Sequence, residues 1–206
     1  MKKVILAMAC MVAMCATIAQ EKDNKKIGAE LQYGNMLYTN YSATSVFSGY
    51  TESTLGNSMN ANFMYYQSKN FAWTLSYFVD GANTSNLELD EIYGSWGFNF
   101  GYRYIATISE KSELYFGLKL GIVFANNRFT YMTDDYTISR VGFKFDWGLG
   151  YNYFVNPNAY IGISINYSGT NYFSDYKLPV EILNQSVNPK LGVQGLIFQV
   201  GIGVKF

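Results

Sequence analysis

The feature that most constrains this chain is a two-residue alternation sustained for longer than an ordinary strand needs. In residues 141–154, VGFKFDWGLGYNYF, one parity carries Val141, Phe143, Phe145, Trp147, Leu149, Tyr151 and Tyr153. The other carries Gly142, Lys144, Asp146, Gly148, Gly150, Asn152 and Phe154. Successive side chains of a β-strand point to opposite faces, so this spacing gives one bulky apolar face and one small face bearing charge. Seven more segments repeat the pattern: 27–38, 58–67, 71–80, 92–106, 114–126, 159–169 and 193–206. Each runs to ten residues or more. Ordinary strands average about 5–6 residues, whereas a strand crossing a bilayer at about 45° needs about 9–11.

The lengths of the connections favour one topology. Between these segments lie 19, 3, 11, 7, 14, 4 and 23 residues, long and short in turn. That is the pattern of an eight-stranded antiparallel up-and-down barrel with long loops at one end and tight turns at the other. Two of the short connections carry turn chemistry, Asn70 tolerating the left-handed region and Pro157 presetting φ.

Parity then selects the solvent. Leu114, Phe116, Leu118, Leu120, Ile122 and Phe124 oppose Tyr115, Gly117, Lys119, Gly121 and Val123. Leu196, Phe198, Val200, Ile202, Val204 and Phe206 oppose Ile197, Gln199, Gly201, Gly203 and Lys205. A soluble barrel would need a polar outer face or a covering helix, and no segment has the length and period of such a helix. The small, glycine-rich parity suits a crowded lumen, and the bulky parity suits lipid. Tyrosines and tryptophans near the strand ends, such as Tyr33, Tyr65, Trp73 and Tyr104, are placed as interfacial girdles.

The N-terminus reads as an export signal. Lys2 and Lys3 precede the apolar run 4–14, and small residues lead to cleavage after Ala19, so 1–19 is set apart from the fold and 20–26 is a polar leader. The barrel domain is expected over 27–206. Both cysteines, Cys10 and Cys15, fall in the signal, so no disulfide or thiolate site is expected in the mature chain. Acylation at Cys15 would place Met14 where a small residue is wanted. Only 15% of residues are charged, against about 25% in soluble domains, and no basic cluster marks a nucleic-acid partner.

In architecture, residues 27–206 resemble the small outer-membrane β-barrel family, the OmpA transmembrane-domain and OmpX type. The most specific likeness is the C-terminal GLIFQVGIGVKF. Its Phe198, Val200, Ile202, Val204 and Phe206 resemble the signal that barrel-assembly machinery reads. The resemblance implies a monomer in the outer membrane of a Gram-negative bacterium, in contact with lipid and lipopolysaccharide. With Phe206 ending the barrel, no appended peptidoglycan-binding domain is expected.

Function is less constrained. The chain has no histidine, which removes His-based bases, nucleophile activation and metal ligation; no cofactor is expected. The barrel proteases and lipid-modifying barrels that share this shape rely on a histidine that is missing here. Glu30, Arg103, Lys119, Lys144, Asp146 and Lys205 lie on the inward parity. They either pair across a closed lumen or line a narrow, anion-favouring path. The long loops and adjoining strand ends hold Glu52, Asp80, Glu88, Asp90, Glu91, Asp134, Asp135, Asp175 and Glu181 against Arg128, Arg140, Lys177 and Lys190. In the last loop, Tyr172, Phe173, Tyr176, Leu178 and Ile182 are too apolar for a free loop. They are expected to fold back over the mouth or to form a patch for a surface protein or polymer. The expected role is therefore non-enzymatic, structural or surface-interacting, with a small pore as the alternative and a soluble ligand-binding barrel third.

Overall fold

The computed structural model describes residues 27–40, 54–86, 89–131, 134–173 and 193–206. Eight strands follow in order: β1 (Ile27–Asn40), β2 (Thr54–Ser68), β3 (Phe71–Asn86), β4 (Leu89–Ser109), β5 (Ser112–Tyr131), β6 (Asp134–Phe154), β7 (Ala159–Tyr172) and β8 (Gln194–Lys205). Each pairs antiparallel with its neighbour in sequence, and β8 pairs with β1 to close the barrel. Within the barrel, closure satisfies the strand backbones from inside the sheet, which lipid surroundings require.

The alternation read from the sequence sets which way each side chain points. Phe143 and Trp147 are exposed on the outer surface, while Lys144 and Asp146 between them are buried. Following hydrogen-bonded neighbours from Ile27 through Tyr65, Trp73, Tyr102, Leu118, Trp147, Tyr167 and Leu196 returns to β1 at Leu37, ten residues beyond the start. That stagger fixes a strand tilt of about 35–45°. It also winds this outward row, aromatic and aliphatic throughout, around the barrel. Stacked rings reinforce neighbouring strands, as in Trp73–Phe100 at 5.5 Å and Trp96–Phe124 at 4.6 Å.

Two of the expected long loops are strand instead. Of the residues read from the sequence as connections, 81–86 and 89–91 belong to β3 and β4, and 127–131 and 134–140 to β5 and β6. The reason is chemical: beyond the apolar belt the outward positions become Asn126, Arg128, Asp135 and Ser139, so the hydrophobic alternation stops while the hydrogen-bonded ladder goes on. β4, β5 and β6 have 21, 20 and 21 residues, about twice what a crossing needs. A four-stranded sheet formed by β3 to β6 therefore projects past the barrel rim. We call this the hairpin end, and the opposite end, with turns at 69–70, 110–111 and 155–158, the turn end. There Asn156 Oδ1 accepts the N–H groups of Asn158 and Ala159 at 2.8 Å.

The narrow interior depends on glycine at places where rings lie flat against the wall. A Cβ at Gly150 would come within 2.1 Å of Tyr115 Cζ, and one at Gly203 within 2.2 Å of Tyr160 Cζ. Gly150→Val should therefore destabilise the barrel by about 1–3 kcal/mol, the usual cost of overpacking. Urea-dependent folding into vesicles, followed by the heat-modifiable gel shift, would measure it.

Candidate functional site

The inward parity of all eight strands builds a lumen filled by side chains in tiers. At the turn end Lys205 Nζ lies 2.6 and 2.7 Å from the two carboxylate oxygens of Glu113, between the rings of Tyr66 and Phe154. Above it Arg103 pairs with Glu30 and lies 4.2 Å over the Tyr115 ring. Asn62 donates to Glu30 at 2.9 Å and accepts from Ser76 at 2.6 Å, and Gln32 donates to the Tyr115 hydroxyl at 3.1 Å. Midway, Asn60 donates to Gln199 at 3.1 Å, and Asn99 donates to Asp146. Lys144 then pairs with Asp80, stands 3.9 Å from Asp146 and lies 3.8 Å over the Phe78 ring.

The hairpin end of the lumen is apolar. Met36, Phe78, Ala82, Val123, Ala125, Val193 and Ile197 pack there with Tyr93 and Tyr172 into one buried cluster. The two tyrosine hydroxyls meet at 3.0 Å across the mouth, joining β4 to β7. Arg140 lies 4.1 Å over the Tyr172 ring and donates to Asn127 at 3.0 Å.

All six inward residues singled out from the sequence face this lumen, with partners the sequence reading did not assign. Lys144 takes Asp80 as its close partner, while Lys119 sits opposite Asp146 in register without an ion pair among the described residues. Asp80 and Arg140, grouped with the outer strand ends in the sequence, are buried inside. Their parity was the available signal, since Asp80 continues the row of Ser76 and Phe78, and Arg140 that of Lys144. Glu113 likewise continues the row of Tyr115 and Lys119. Among the described residues the lumen thus holds Arg103, Lys119, Arg140, Lys144 and Lys205 against Glu30, Asp80, Glu113 and Asp146. Five cations facing four carboxylates halve the anion-favouring excess of the four facing two read from the sequence.

The sequence profile of the outer membrane protein beta-barrel domain matches residues 6–206. The chain belongs to that family. Solved structures give the same fold at low sequence identity. Ail, the attachment invasion locus protein of Yersinia pestis, is 16% identical with a TM-score of 0.53, over 88% of this chain and 99% of Ail. Neisserial surface protein A is 16% identical with a TM-score of 0.52, over 90% and 100%. A major outer membrane protein of Thermus thermophilus is 12% identical with a TM-score of 0.51, over 87% and 99%. No curated protein matches the chain in sequence.

Within this outer-membrane barrel the remaining sequence candidates separate. Tyr172 is buried in the mouth, whereas Phe173 is exposed and meets Phe143 edge-on at 4.6 Å. Tyr176, Leu178 and Ile182 lie outside the described residues, as do Glu52, Glu88, Asp175, Lys177, Glu181 and Lys190. Phe198, Val200 and Ile202 are exposed on the outer face of β8, with Val204 and Phe206 half-buried beside β1. Of the acids grouped with the long loops, Asp90 and Glu91 belong to β4, and no metal-holding group of acidic side chains occurs among the described residues.

The Glu30–Arg103 pair offers the cleanest energetic test, because Arg103 cannot shed its charge. Glu30→Leu alone should cost about 3–5 kcal/mol, and the double variant Glu30→Leu with Arg103→Met should recover most of it. A double-mutant cycle of urea unfolding in vesicles checks both values.

Proposed function

We propose that this barrel is a non-enzymatic outer-membrane protein that acts from its hairpin end, as a membrane-anchored surface for contact with a protein or polymer outside the cell. The observation that carries the reading is the projecting sheet of β3 to β6, in which β4, β5 and β6 have about twice the residues a membrane crossing needs. Nothing inside the membrane requires those extra residues. The apolar cluster and the paired charges support a lumen closed to solutes, against the pore alternative. The absence of any histidine from the sequence supports a role other than catalysis.

In this reading residues 1–19 are removed on export, and the mature protein is a monomer in contact with lipid and lipopolysaccharide. The outward side chains of Phe198, Val200, Ile202, Val204 and Phe206 form the stripe that the barrel-assembly machinery engages. Ail, which shares the fold, was solved in complex with the heparin analogue sucrose octasulfate, so a sulfated surface polymer is the first partner class to try.

Asn127 and Ile138 are register partners, so replacing residues 128–137 by an Asn-Gly turn trims the β5–β6 hairpin while keeping its ladder. Cells displaying the trimmed barrel should bind heparin-coated and matrix-protein-coated surfaces less than wild-type cells, with the heat-modifiable gel shift intact. Unchanged binding by the trimmed protein would remove the sheet from the contact. Reproducible step conductance of the wild type in planar bilayers would favour the pore instead.

A further inference from the structure

We propose that the hairpin end of the lumen holds a binding site for an oxyanion, centred on Arg140. The residue is only 8% exposed, so its charge is largely withdrawn from water. One Nη donates to Asn127 Oδ1 at 3.0 Å, and the Tyr172 ring lies beneath the guanidinium at 4.1 Å. Its Nε is buried without a hydrogen-bond acceptor among the described residues.

What sets Arg140 apart, among the described residues, is the want of a counter-charge beside it. Lys205 is held by Glu113, Arg103 by Glu30 and Lys144 by Asp80, while Lys119 faces Asp146 in register. Among the described residues no carboxylate forms an ion pair with Arg140, and the residue opposite it on β5 is Ala125. A buried lysine could lose its proton, but an arginine stays charged at any accessible pH. A buried permanent cation is costly unless an anion is supplied to it. Arg140 stands beside the apolar cluster, stacked on its Tyr172 and opposite its Ala125, and four residues along β6 from the paired Lys144 towards the hairpin end, the end from which the anion arrives.

The chemistry follows from the donors. An unused Nε–H beside the remaining Nη groups forms the planar fork that suits carboxylate, sulfate or phosphate oxygens. The tyrosine stacked on the guanidinium fixes the plane of that fork, whose Nε edge has no acceptor of its own among the described residues. Such a group could be carried by a free ion, a sulfated sugar or the phosphates of lipopolysaccharide. The site stands apart from the surface-contact reading, because a free ion can occupy it whether or not the projecting sheet binds a partner.

The test follows the 15N resonance of Arg140 Nε, assigned through Arg140→Lys, in protein folded in zwitterionic micelles. Sodium sulfate, sucrose octasulfate and lipopolysaccharide are titrated separately against sodium chloride at matched ionic strength. A saturable shift is expected in at least one titration, and the arm that shows it names the source. Thermal stabilisation by the same probe should require about tenfold or more probe in Arg140→Gln, and be unchanged in Arg128→Gln, whose exposed side chain pairs with Asp135. No Nε shift with any probe would overturn the site, as would equal stabilisation of wild type and Arg140→Gln. So would an Nε resonance that moves on neutralising Asp134 or Asp175, since the counter-ion would then belong to the chain itself. The Nε measurement needs only wild type and Arg140→Lys, so it stands even if Arg140→Gln does not fold.

Discussion

The antiparallel seam between β1 and β8, running from Gly28 opposite Lys205 to Leu37 opposite Leu196, makes the rest of the structure workable. Without it two strands would present unpaired N–H and C=O groups to lipid, each costing several kcal/mol. The seam joins the first described strand to the last, and it is completed by backbone bonds between Ile27 and Phe206. It can form only when both ends of the barrel sequence are present, so its contacts are among the most distant in the chain.

Closure at eight strands then dictates the interior. A barrel of this size has room for side chains but little else. Charges admitted there are withdrawn from water on every side, and three close ion pairs, Glu30 with Arg103, Asp80 with Lys144 and Glu113 with Lys205, neutralise most of them. Glu30 with Arg103 and Lys144 with Asp80 each bridge strands well apart in the barrel, β1 to β4 and β6 to β3. They cross-brace the wall as well as neutralising one another. The flat rings of Tyr115 and Tyr160 over glycine are the apolar counterpart of the same crowding.

The sequence made the architecture legible because lipid and lumen impose opposite chemistry on alternating residues. Strand number and the facing of Lys144 and Asp146 could be read from parity, and the up-and-down order from the alternating lengths of the connections. The hairpin extensions could not be read in the same way. Once Asn126 and Ser139 hydrogen-bond side by side at 2.7 Å, both faces are polar or mixed and the period loses its contrast. Asp80 and Arg140 were misplaced for a related reason: a charge at the edge of an apolar run looks like the start of a loop. Which cation meets which carboxylate was beyond reach, because those contacts cross the lumen between strands that are not neighbours. Only the ten-residue stagger of the sheet brings Lys144 and Asp80 to one level.

The projecting sheet also has a mechanical meaning. Its strands run straight on into the barrel wall, with no joint between the part beyond the rim and the part within it. Antiparallel hydrogen bonds lie across the strands, so a pull on the hairpin tips acts along the strands and loads many bonds together. They cannot be opened one after another from the tip. A load taken at the surface is thereby spread down the length of β3 to β6 and into the whole closed wall.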